Sequence, residues 1–273
     1  MVDDFGTLDY TGERMVPEKA AGQTFWEHVG RYRYASPFVK GKRVLDIACG
    51  EGYGAAALRE AGAASVIGVD LSAEACEHAR RKYGLDARVG DALQIPLADN
   101  SLDLVVSFET IEHVSNPERF LEECARVLVS EGILIVSTPN RPVYSGQGSH
   151  NPFHHREYDE GEFRSLLETR FASVSLYSQF PRSAAWWSPR SLAAEQSHWL
   201  RLKGFWRLSS WLCPPRRTEV PPSLRQNPTN AILGQGLAWS SWLNPYQVRP
   251  CVPRSREQPY YFVAEARGVK KTQ

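Results

Sequence analysis

The sequence predicts an α/β protein built on a doubly wound, mostly parallel sheet. Three observations predict it. Residues 44–47, Val-Leu-Asp-Ile, read as the end of a buried strand and run into Gly50, Gly52 and Gly54, after which residues 55–60 are helix formers. Twenty residues beyond Gly50 a second apolar stretch, residues 66–70, ends in the carboxylate Asp70. Strand-like and helix-like stretches then alternate to about residue 180, the order that sets parallel strands side by side with helices between them.

Each element has a local reason. Residues 24–36 read as a helix opened by Thr24 and stopped by Pro37. Residues 72–83 form a second helix, capped by Ser72 and ended by Gly84. A short strand spans residues 86–91, another residues 104–108, and a helix residues 117–129 after Pro117. Residues 132–138 are the fifth strand, 159–168 a helix, 171–177 the sixth strand and 260–266 the last.

Charge identifies the ligand class. A glycine turn followed by a strand-end acid suits a nucleotide whose ribose hydroxyls bond the acid, here Asp70. A dinucleotide would bring a pyrophosphate, which acids repel. Asp46 and Glu51 flank the glycines, no Lys or Arg lies between Val44 and Leu58, and the spacing is Gly-x-Gly-x-Gly rather than Gly-x-Gly-x-x-Gly. A cationic ligand carrying ribose and adenine fits such a pocket, and S-adenosylmethionine (SAM), with its sulfonium and ammonium, is one.

At this point the run Asp46-Ile-Ala-Cys-Gly-Glu-Gly-Tyr-Gly54 resembles the first motif of the class I SAM-dependent methyltransferases. The resemblance covers residues 40–180 and 260–268. It implies a seven-stranded Rossmann-like sheet whose last strand, residues 260–266, is antiparallel. It also implies a cofactor site of Asp46, Ala48, Gly50, Gly52, Gly54, Asp70, Leu71 and Phe108, with Asp91 and the Ala92 backbone at the adenine edge. Residues 1–36 form an N-terminal cap. Its helix either packs over the sheet edge or covers the cofactor, with Arg31 or Arg33 meeting the methionine carboxylate; Arg33 is counted with the cofactor residues.

Composition excludes other classes. The chain has 273 residues, enough for one full domain with an elaboration. A net charge of +1 argues against DNA, and weighs against RNA, because bulk nucleic-acid binding needs a basic excess. Five scattered cysteines without a CxxC pair read as reduced thiols, and no apolar run is long enough to span a membrane, so a cytoplasmic protein is expected.

Two polar clusters carry the candidate chemistry. If residues 109–113 make one helical turn, Glu109, Glu112 and His113 share a face at the end of the fourth strand. His150, His154 and His155 follow the fifth strand. Two mechanisms compete. His113 or His154 acts as general base beside Glu109, or Glu109, Glu112, His113 and His154 bind Mg²⁺ or another divalent cation that acidifies the acceptor hydroxyl. The pattern Glu-x-x-Glu-His with a later Phe-His-x-x-Glu-Tyr resembles metal-dependent small-RNA 2′-O-methyltransferases, and its first half quinone-precursor O-methyltransferases. Together with Thr11-Gly-Glu-Arg-Met-Val-Pro17 it also looks like bacterial methyltransferases found with glycan biosynthesis. That implies a sugar hydroxyl on a nucleotide-sugar, surface glycan or glycosylated metabolite as acceptor. A small phenolic or quinone-like metabolite and an RNA end are the rivals, and a SAM-fold module that only binds partners is disfavoured by the intact pocket.

Residues 181–258 fall outside the resemblance. Seven of the eight tryptophans lie there, with two Pro-Pro pairs. This insertion between strands six and seven is expected to form an acceptor lid, a homodimer interface or satellite core, or a peripheral membrane contact through a helix over residues 191–212.

Overall fold

A computed structural model describes residues 15–17, 19, 20, 22–145, 151–179, 226, 228–233, 248–250 and 259–270. Among them eight strands form one mixed sheet: β1 Arg43–Ile47, β2 Ser65–Asp70, β3 Asp86–Val89, β4 Leu102–Ser107, β5 Leu128–Pro139, β6 Phe171–Gln179, β7 Val248–Pro250 and β8 Tyr261–Val269. Their spatial order is β3-β2-β1-β4-β5-β8-β6-β7. Strands β3 to β5 are parallel neighbours, while β8 runs antiparallel between β5 and β6. The seven expected strands are present with the last one antiparallel, and β7 adds an eighth at the edge by pairing with β6.

Side chains alternate across the sheet and seed a core on each face. Val44, Leu104, Val106, Ile133, Ile135 and Val263 enter one cluster with residues of α1 Gly22–Ala35, α2 Tyr53–Glu60 and α3 Ala73–Tyr83. Leu45, Ile47, Val105, Leu134, Val136 and Phe262 enter the other with α4 Pro117–Val127 and α6 Glu160–Glu168. A four-residue helix, α5 Arg141–Tyr144, follows β5.

The helix signals act as the sequence implies. Ser72 accepts from the Ala75 N–H, Gly84 ends α3 in the left-handed region, and Asp159 and Glu162 form a reciprocal capping box on α6. Asn116 caps α4 with Pro117 in its first turn. Two boundaries move. Helix α1 begins at Gly22 rather than Thr24, and α4 stops at Val127 because Leu128 already pairs with Leu102 in an extension of β5.

The stretch 181–258 is not wholly apart from the main domain. Helix α7 Pro228–Leu233 packs against α1 and α2 with Ile232 in their core, and β7 extends the sheet. These two pieces of the stretch thus pack on the helices and the sheet edge of the main domain. The seven tryptophans, the helix expected over 191–212, and with them the lid, interface and membrane readings, lie outside the described residues. No helix of the described residues is long and apolar enough to cross a membrane.

Candidate active site

Strands β1, β2, β3 and β4 end on the same side, and the order reverses between β1 and β4, where open α/β sheets leave a crevice. A cleft of about 480 Å³ opens there. Its cofactor end is lined by Ala48, Gly50, Glu51, Asp70, Leu71, Asp91, Ala92 and Phe108, and its other end by Glu109, Thr110, His113, Ser115 and His155. Among the described residues the lining includes four carboxylates and no Lys or Arg, so the electrostatics suit a cation and repel a phosphate.

The glycine turn is held from below and from the side. Gly50 N–H donates to Asp70 Oδ2 at 2.8 Å, and Ser72 N–H donates to Oδ1 at 2.9 Å, which aims the Asp70 carboxylate across the cleft. Gly52, at φ 91°, precedes α2 in a conformation open to glycine. Glu51 is buried and meets His78 Nε2 at 3.0 Å and Lys82 Nζ at 2.5 Å, fastening the turn to α3. Burial pushes Glu51 up, but His78 and Lys82 outweigh it and hold the carboxyl below its usual range.

Asp46 is not at the cleft surface. It is fully buried under the turn, and the Tyr32 hydroxyl donates to its two oxygens at 3.0 and 3.2 Å. Tyr32 itself lines the cleft, so the motif acid expected to touch the cofactor acts from behind a tyrosine of α1. Gly54 serves that tyrosine: a Cβ there would come within 2.0 Å of the Tyr32 ring.

The expected single helical turn at 109–113 does not form. Glu109 adopts φ 54°, its N–H donates to Ser137 Oγ at 3.1 Å, and the Ser137 hydroxyl donates back to Glu109 Oε1 at 2.6 Å. This left-handed residue turns Glu109 away from Glu112 and His113 and toward Arg31, whose Nη1 lies 3.6 Å from Oε1. Arg31 of α1 thus meets Glu109, a lining residue of the cleft, and Gln179. Arg33, expected among the cofactor residues, is half-buried, and neither arginine is part of the cleft lining.

Beyond the turn the backbone builds the second cluster. His113 N–H bonds the Thr110 carbonyl, and the Glu112 carbonyl accepts from the N–H groups of His155 and Arg156, drawing the loop 151–157 over β4. His113 Nδ1 lies 3.0 Å from the Phe153 carbonyl. A carbonyl only accepts, so Nδ1 carries the proton and Nε2 keeps its lone pair in the neutral ring. His154 uses both nitrogens internally, Nδ1 with Glu157 at 2.7 Å and Nε2 with Asn151 at 3.0 Å, and does not line the cleft. Of the three histidines that follow β4 and β5 here, His113 and His155 stand in the wall of the cleft.

Among the described residues, Glu112, His113 and His154 offer ligand atoms within 4.8 Å of one another. Glu109 does not join them, so three of the four expected metal ligands converge. Glu112 is fully buried, with the Thr138 hydroxyl beside its carboxyl. Burial, and after it the charge of Glu109, pushes the Glu112 carboxyl well above the usual carboxylate range.

Tyr32, Thr110 and Ser115 were not singled out from the sequence. Tyr32 could have been suspected from its place on the buried stripe Phe25, Val29, Tyr32 of α1; the others show no spacing signal.

The sheet order and the cleft at its switch point are those of a nucleotide-binding α/β fold. Residues 45–136 match the methyltransferase domain family. The chain is 41% identical over 167 residues to a protein of Mycolicibacterium smegmatis named as a probable S-adenosylmethionine-dependent methyltransferase, an alignment covering 59% of this chain and 64% of that one. It is 37% identical over 120 residues to a ubiquinone biosynthesis O-methyltransferase of Chelativorans, covering 42% and 47%. The alignments thus span less than two thirds of these relatives. A SAM-dependent methyltransferase structure from Thermotoga maritima superposes with a TM-score of 0.57 at 18% identity, covering 90% of this chain and 91% of that one, which shows the Rossmann-like fold.

Proposed function

We propose that this protein transfers the methyl group of SAM to a hydroxyl of a small phenolic or quinone-like metabolite. The observation that carries the cofactor reading is the cleft at the switch point, rich in carboxylates and with no Lys or Arg among its described lining residues, with Asp70 aimed across it by two backbone N–H bonds. The adenosine end lies along Asp70, Leu71, Asp91 and Ala92, where Leu71 is 75% exposed and offers an apolar face to a base. The acceptor end lies at Glu109 and His113.

Methyl transfer is an in-line displacement with a neutral leaving group, so positioning supplies much of the rate. A hydroxyl acceptor must also lose its proton. The tautomer set by Phe153 leaves His113 Nε2 as the group to take it. The acceptor class draws support from the similarity to the ubiquinone biosynthesis O-methyltransferase. The relatives compared add no support for the sugar hydroxyl.

A second reading keeps the divalent cation, and a specific observation favours it. Glu112, His113 and His154 converge, and Glu112 is a fully buried carboxyl whose charge a cation would compensate. Such an ion would acidify the acceptor hydroxyl in place of a base.

Calorimetry tests the cofactor reading: S-adenosylhomocysteine should bind and NAD should not. Turnover of a dihydroxybenzoate probe, set against a nucleotide-sugar probe, tests the acceptor. NAD binding tighter than S-adenosylhomocysteine, or methylation of the sugar alone, would overturn the corresponding half.

A further inference from the structure

We propose that Tyr32 and Asp46 form a proton-linked counter-charge for the cationic groups of the cofactor. The tyrosine hydroxyl holds a buried carboxyl that gives up its proton to solvent when a cation enters the cleft. This rests on the SAM reading above and adds a residue and a pH dependence to it.

The geometry is specific. Tyr32 comes from the N-terminal helix and Asp46 from the end of β1, and one hydroxyl spans both carboxyl oxygens. The ring stands on Gly54 and packs edge-on against Tyr53 and Phe108, at 5.6 and 4.9 Å between centroids. The hydroxyl therefore cannot leave Asp46 unless α1 moves. Tyr32 lines the cleft together with Ala48 and Cys49, and the carboxyl sits directly behind it.

Among the described residues, no positive group is paired with Asp46. Facing it are Tyr32 from α1, Cys49 from the glycine turn, Tyr53 and the Ala55 N–H from α2, and the carboxylate of Asp70 from β2. Burial, reinforced by the charge of Asp70 and opposed by the bonds from Tyr32 and Ala55, pushes the Asp46 carboxyl up to about 8. At neutral pH the free protein holds it protonated. His28, in the same wall, is neutral, because burial and Arg31 keep it well below its ordinary value. A sulfonium or ammonium in the cleft supplies the missing positive charge and favours the ionised carboxyl, so binding one cation releases up to one proton. Because the released proton is a product of binding, affinity rises with pH up to the free-state midpoint and then levels.

Calorimetry on the full chain tests this without an acceptor. SAM and 5′-methylthioadenosine, which lacks both cationic groups, are titrated from pH 6 to 9 in phosphate and in Tris, into wild type, Tyr32→Phe and Asp46→Asn. Differences between wild type and Asp46→Asn cancel the titration of the ligand's own amino group. The expected result is a wild-type SAM affinity that climbs up to tenfold per pH unit below pH 8 relative to Asp46→Asn, with close to one proton released at pH 7. Methylthioadenosine should show neither effect. In Tyr32→Phe, loss of the donor bond should move the climb to higher pH while methylthioadenosine affinity stays constant. A wild-type affinity with the pH dependence of Asp46→Asn, or an equal loss for both nucleosides in Tyr32→Phe, would overturn the proposal. Failure of wild type to bind any of these ligands would instead overturn the SAM reading itself.

Discussion

Replacing Arg31 with methionine removes a cation that is 1% exposed and takes one partner each from Gln179 and Glu109. Arg31 Nη1 donates to Gln179 Oε1 at 2.9 Å and lies 3.6 Å from Glu109 Oε1, and the guanidinium sits 4.7 Å from the centroid of the Tyr261 ring. Breaking a buried ion pair by removing one side costs about 3–5 kcal/mol. Here Glu109 is 16% exposed and keeps its bond to Ser137, which places the expected loss near the lower end, about 3 kcal/mol. That is a large share of the about 5–15 kcal/mol that holds a typical domain together. The assay is urea unfolding at pH 7, comparing midpoints at constant slope. Glu109→Gln placed on the Arg31→Met background should return about 1–2 kcal/mol, because it removes the stranded charge. A loss under about 1 kcal/mol, or no recovery in the double variant, would refute the view that α1 is clamped to the acceptor end through this pair.

Gly54→Ala should weaken S-adenosylhomocysteine binding at least tenfold and lower the melting temperature, since the new Cβ meets the Tyr32 ring at 2.0–2.5 Å and overpacking costs about 1–3 kcal/mol; unchanged calorimetry would contradict it. His113→Ala should lower turnover of a dihydroxybenzoate probe by about 10²–10⁴-fold, with EDTA having no effect. Loss of activity in EDTA and its return with Mg²⁺ or Mn²⁺ would instead select the cation at Glu112, His113 and His154. Stability should also carry the mark of Asp46, measured by urea melts from pH 5 to 9. The folded carboxyl titrates near 8 and the unfolded one near 3.8, so between these values the folded state binds the extra proton, and stability falls as pH rises through that window and is level above it. Asp46→Asn should lift stability at pH 8 and above relative to pH 5, by at most about 5 kcal/mol, and identical pH profiles for the two proteins would rule this out.

Much of the scaffold was legible because its causes are local. Ser72 and Gly84 mark the ends of α3 by hydrogen bonds and backbone conformations that reach only a few residues along the chain. Asp159 and Glu162 do the same for α6. The alternation of Val44 and Leu45, or Ile133 and Leu134, between the two cores follows from the pleat alone. The link from Gly50 to Asp70 was also readable, since two parallel strands joined by one helix must place their ends together.

The chemistry at the far end of the cleft was not readable in the same way. Helical phase could not separate Arg31 from Arg33, because the two stand on either side of Tyr32 at equal angular distance. The choice is made by Glu109 and Gln179, the latter 148 residues away. Spacing put Glu109, Glu112 and His113 on one face, yet a hydroxyl from β5 bonds the Glu109 backbone and the side chain swings to Arg31 instead. His154 was equivalent to His155 until Glu157 and Asn151 took both its nitrogens. Short-range propensity and strand pairing sufficed to specify the sheet, the glycine turn and a pocket for a cationic nucleoside. Tertiary contacts alone decided which acids and histidines face that pocket, because each is held by partners the chain brings in from other elements.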